Sequence, residues 1–258
     1  MNTVVAKATV GVAAGSQRFY VRMAAIFVAV AVVGFAPTYW VPMLRGTLDV
    51  PPFAHLHAAV FYGWTLLFFR QTSLAASGRM TRHRELGVAG VALATAMLLV
   101  GLGLSVNSLR RFEAAGLSES GRAFAIVSVS AITLFAALFT VAVFNVRRPD
   151  IHKRLMLVAT ISLMQPTIAR WFLYFLAPDV PVGAIAPPPP IGVTVLPALL
   201  ANLLIVWAML HDRRTIGHVH RAYWIAGGAV VATQVLRVPL GSTAAWSHAA
   251  GWLLALAP

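Results

Sequence analysis

KRLMLVATISLMQPTIARWFLYFLA, residues 153–177, decides the fold, because between Arg154 and Arg170 it holds no charged side chain. About 20 mostly apolar residues suffice to carry a helix across a bilayer core. Six further stretches have this length and character, near 20–43, 53–75, 85–106, 122–146, 190–210 and 221–240. In lipid a backbone must satisfy its own polar groups, so runs of this kind form helices. The chain is expected to be all-α, a polytopic membrane bundle of about seven transmembrane helices. The division that follows is an N-terminal cytoplasmic mobile arm over 1–19, a seven-helix domain over 20–240 and an interfacial tail over 241–258.

Composition agrees. Of 258 residues, 59% are hydrophobic and 10% charged, against roughly 25% charged in soluble domains. The net charge of +13 would suggest nucleic acid in a soluble protein. Here the basic residues flank the apolar runs, as topogenic charge does, so lipid is the expected partner and nucleic acid is not. Fourteen of the twenty Lys and Arg fall on the side that carries the N-terminus, four on the other, and two inside spans. That bias puts the N-terminus in the cytoplasm and the expected location in a bacterial inner membrane. The tail TAAWSHAAGWLLALAP, 243–258, is too short to cross and reads as an outer amphipathic helix anchored by Trp246 and Trp252.

The two arginines inside spans, Arg170 and Arg237, point to function. A charge within the bilayer is costly and by default marks a functional site. With 1.5 Å of rise per residue, both lie roughly 25 Å from the inner face, level with His55 and His57 at the outer start of the second span. Gln234 precedes Arg237 by three residues and shares its helix face. Gln165, beside a kink expected at Pro166, and Asn202 add polar groups. His57, Gln165, Arg170, Asn202, Gln234 and Arg237 thus outline an outward polar pocket for an anionic group, such as a haem propionate, a lipid phosphate or a carboxylate. The other reading is that either arginine extends outward to headgroup phosphate, or to Asp49 or Asp179.

The histidines offer metal or haem ligands. His55 and His57, two apart on a helix, point about 200° from each other and do not share one metal within regular helix; the spacing would suit a metal only if the segment were extended. His57 with His248 on the outer side, and His83 with His152 on the inner, are the candidate pairs for haem b. The chain has no cysteine, so thiolate chemistry is absent. No serine nucleophile elbow, HExxH helix, phosphate loop or dinucleotide fingerprint occurs in usable context, and no catalytic residue or enzymatic activity is assigned. Three functions follow: a haem-binding or redox-active protein in electron transfer, a transporter or binding protein for a small anionic ligand, and an accessory subunit of a membrane complex.

His57, Gln71, the HRELG of His83, Arg84 and Gly87, and the HKRLM of His152, Arg154 and Met156 followed by Arg170 form a pattern over about 55–172. It resembles an uncharacterised group of bacterial multi-spanning membrane proteins. Its layout is loosely similar to di-haem cytochrome b membrane proteins, which hold haem between histidines of neighbouring helices. That likeness implies histidine ligands and a redox role.

Overall fold

The computed structural model describes residues 2–176 and 185–255, with side chains from Gln17 onward. The described residues contain helices and no strand. In chain order they are α1 Asn2–Gly34, a π-helical turn Ala36–Trp40, α2 Val41–Leu44, α3 Pro52–Ala76, α4 Met80–Ala114, α5 Ser118–Phe144, α6 Pro149–Ser162, α7 Gln165–Leu176, a 3₁₀ turn Ile191–Thr194, α8 Val195–Ile216, α9 Arg221–Gly241 and α10 Ala244–Ala255. The bundle is all-α. The expected arm 1–19 is helical backbone from Asn2, and the proline-rich connection 178–190 is described only from Ile185.

Six stretches among the described residues are long and apolar enough to cross a membrane: Gln17–Gly34, α4, α5, the pair α6–α7, Ile191–Ile216 and α9. The remaining expected span, the second at 53–75, corresponds to α3. Its 25 residues are long enough, but His55, His57, Tyr62 and Thr65 dilute its apolarity. α3 still sits within the bundle, packed between α1 and α4.

Burial is sorted as a lipid solvent requires. Met23, Phe27, Met97, Phe135, Leu157, Val158, Ile161 and Val230 are fully buried in one continuous core. The outward faces carry Leu99, Phe144, Leu203, Trp224, Ile225 and Leu236, all exposed, while Arg154, Asn202, Asp212, Gln234 and Arg237 lie inside. A soluble protein rarely exposes so much contiguous apolar surface. Small residues let the helices approach. A Cβ on Gly90 of α4 would meet Leu67 of α3 at 3.6 Å, and one on Gly101 would press on Ile132 of α5 at 2.9 Å.

Three local features set up the sites. Pro166 breaks the fifth span, as its sequence predicts. It has no amide hydrogen and its ring collides with the carbonyl four residues back, so α6 stops at Ser162 and α7 restarts at Gln165. Gly34, the last residue of α1, crosses α7 so closely that any Cβ would strike Thr167. That crossing lays the turn Ala36–Trp40 on α7. The tail helix α10 is formed and rests on α5, α4 and α9. Its Trp246 indole donates to Arg122 O at 2.7 Å, and Trp252 is exposed.

Candidate ligand-binding site

Pro37 falls within the π-helical turn that follows α1. π-Turns widen a helix locally and recur at functional sites. Here the turn directs Tyr39 and Trp40 at α3. Tyr39 Oη and His55 Nδ1 are 2.8 Å apart. Trp40 Nε1 donates to Tyr62 Oη at 3.0 Å, and Tyr62 Oη in turn donates to Ala31 O at 3.0 Å. From α7, Trp171 Nε1 donates to Val33 O at 3.1 Å. The junction of α1, α3 and α7 is therefore tied by aromatic donors whose bonds are satisfied within the protein.

Arg170 occupies this junction. Its guanidinium stands over the Phe35 ring, 5.3 Å from the centroid, near enough to His57 and Tyr62 for its charge to act on both. Among the described residues it has no hydrogen-bond acceptor and no carboxylate. Asp179, one of its expected partners, lies outside them. Two more polar groups of the junction lack partners: the buried His57 Nδ1 and the buried Thr38 Oγ1. The His57 ring packs on Phe61 at 4.1 Å. His55 is exposed and His57 half-buried, which fits the divergence expected of residues two apart.

Arg237 belongs to a different place. It is 2% exposed, so it points into the bundle and does not extend to headgroups. Nη1 donates to Gln165 Oε1 at 2.9 Å, and Nη2 to Thr194 Oγ1 at 2.8 Å and Thr194 O at 3.3 Å. Nε has no partner. Asn202 Nδ2 donates to Gln234 Oε1 at 2.6 Å and receives a longer bond, 3.4 Å, in return. Gln165, Asn202, Gln234 and Arg237 thus form buried polar packing among α7, α8 and α9, bonded largely to one another. Gln165 and Arg170 are five residues apart on α7, about 140° around the helix, so the two arginines meet opposite sides of it. The six residues outlined from sequence divide into an open pair, His57 and Arg170, and a closed set of four.

The histidine pairs divide likewise. His248 lies on α10 beside Arg122 and Trp252, whereas His57 lies on α3, which packs on α1 and α4. His83 and His152 are neighbours, close enough for the charge of one to act on the other. His83 Nδ1 faces Gln71 O at 3.3 Å and His152 Nδ1 faces Ala142 O at 2.8 Å.

One strong pair was not singled out by the sequence. Arg154 and Asp212, both buried, make a two-pronged ion pair at 2.7 and 2.9 Å. Arg154 also donates to Asp150 O at 2.6 Å and stands over Tyr223, whose hydroxyl is 3.2 Å from that of Tyr20. From sequence Arg154 counts only among the basic residues that flank the apolar runs. The available signal was that Asp212 is one of very few acids bordering an apolar run. No family model matches the chain, and neither the curated proteins nor the solved structures offer a match.

Proposed function

We propose that this chain is a membrane-embedded binding protein for a small ligand bearing an anionic group, taken up at the junction of α1, α3 and α7. Arg170 supplies the charge, and His57 and Thr38 supply further hydrogen-bonding groups. The observation that carries this reading is Arg170 itself: a half-buried guanidinium with neither acceptor nor carboxylate among the described residues, beside two buried polar atoms also left unpaired. Leaving such groups unmatched costs about 1–3 kcal/mol each, and more for a charge. A ligand that satisfies several at once is stabilised accordingly. With the N-terminus in the cytoplasm of a bacterium, the site opens at the outer face of the inner membrane.

Haem b belongs to this ligand class, since its propionates are carboxylates that Arg170 would pair, and its presence would make the protein redox-active. A carrier or transport role for a non-haem carboxylate or phosphate uses the same residues. The absorption spectrum of detergent-purified protein separates the two. A Soret band lost in Arg170→Ala identifies haem. A colourless protein whose organic extract contains an anionic compound missing from Arg170→Ala identifies the carrier form. Extracts of the two proteins that match, with no chromophore in either, contradict the reading.

A further inference from the structure

Gln71, His83 and His152 come from α3, α4 and α6 and gather at the end of the bundle opposite Arg170. Each imidazole is anchored in the same way. A carbonyl oxygen only accepts, so the contacts of His83 Nδ1 with Gln71 O and of His152 Nδ1 with Ala142 O require that Nδ1 carry the proton in both rings. Each neutral ring then keeps its lone pair on Nε2, and neither Nε2 has a partner among the described residues. An imidazole whose Nδ1–H is held by a backbone carbonyl is the usual form of a metal-binding histidine, its tautomer and orientation fixed from behind. The third member is Gln71, whose Oε1 is buried and unpaired although its main-chain oxygen holds His83. Gly87, one turn along from His83, leaves room beside the amide: a Cβ there would lie 3.8 Å from Gln71 Nε2.

We propose that Gln71, His83 and His152 bind one divalent transition-metal ion of the kind that favours imidazole, with Nε2 of each histidine and Oε1 of Gln71 as ligands. No three His, Cys, Asp or Glu side chains cluster among the described residues, so the centre is not a closed structural cage. Two imidazoles and one neutral amide leave coordination positions for water or an exchanging ligand. The site adds no protein negative charge, so it holds the ion loosely and exchanges it, at the end of the bundle where basic side chains collect.

The test uses the full chain in detergent. Copper(II) is titrated in and followed by electron paramagnetic resonance, with pulsed detection of the remote imidazole nitrogens. The expected result is about one copper per chain with two coordinated imidazoles. His83→Ala and His152→Ala each leave one imidazole and weaken binding by about tenfold or more, since losing even an outer-shell partner of a ligand costs about that much. Gln71→Leu weakens it less and keeps both imidazoles. Arg170→Ala leaves stoichiometry and imidazole count unchanged, which separates this site from the outer one. A second measurement needs no variant: zinc should protect His83 and His152 of the wild-type protein from diethylpyrocarbonate while His55 and His218 remain reactive. An unchanged imidazole count in either histidine variant, or no zinc protection of His83 and His152, overturns the proposal. So does a Soret band in the protein as isolated that either histidine variant abolishes, since the imidazoles would then serve haem iron.

Discussion

Arg237 Nη1 donates to Gln165 Oε1 at 2.9 Å across the α7–α9 interface, with Arg237 and Gln165 both buried and no carboxylate bonded to either. A guanidinium held, among the described residues, by neutral acceptors alone depends on each of them. Gln165→Leu removes the amide and leaves the charge short of one bond. The expected loss is about 2–3 kcal/mol, toward the upper end of the range for stranding a buried polar group. Chemical denaturation in detergent micelles measures it. Gln165→Glu should be much milder, because it keeps an acceptor and adds the missing charge.

Arg154 and Asp212 lie 58 residues apart in sequence and are both almost fully buried. Removing one partner strands the other. Asp212→Ala is expected to cost about 3–5 kcal/mol, read from the same unfolding curves. Arg154→Met with Asp212→Leu should recover much of that loss, because no charge is left behind. A double variant as unstable as Asp212→Ala would show that the pair acts through something other than charge compensation.

His220 lies in the connection between α8 and α9 and caps α9 by accepting from Ala222 N on Nδ1 at 3.1 Å. Its Nε2 faces Asp150 at 3.3 Å. Burial, reinforced by the Arg154 charge, pushes its pKa below the ordinary histidine value and outweighs the opposing pull of Asp150 and Asp212. The folded protein therefore favours the neutral ring, and the unfolded chain takes up the proton first. This contribution is fully present above about pH 6.5 and drains away as pH falls through the folded-state value. His220→Asn, which keeps a capping oxygen, should flatten that part of the profile in thermal unfolding at stepped pH. An unchanged acid limb would assign it to another group.

The helical class was legible in the apolar runs, and so was the break at Pro166, because each depends only on local chemistry. Position along a span was countable too: the rise per residue set Arg170 and Arg237 level with His57, and of the two only Arg170 is found beside it. Azimuth was not. Whether residues at one depth share a pocket depends on how α7 is rotated, and Gln165 and Arg170 face opposite ways from it. The pairing of Arg154 with Asp212 was hidden for a related reason, since nothing local distinguishes an inward-turned terminal charge from one that greets headgroups. His83 and His152 were legible as possible neighbours because both open spans at the same face. Their matching carbonyl anchors needed coordinates.

The central claim is that Arg170 holds an anionic ligand at the α1–α3–α7 junction. Native mass spectrometry of the protein released from detergent tests it most directly, with Arg170→Ala and Gln165→Glu as comparisons. The account predicts a small adduct on the wild-type chain that is absent from Arg170→Ala and retained by Gln165→Glu, whose change lies on the other side of α7. An adduct of the same mass and occupancy on Arg170→Ala, or none on the wild-type chain, would contradict it.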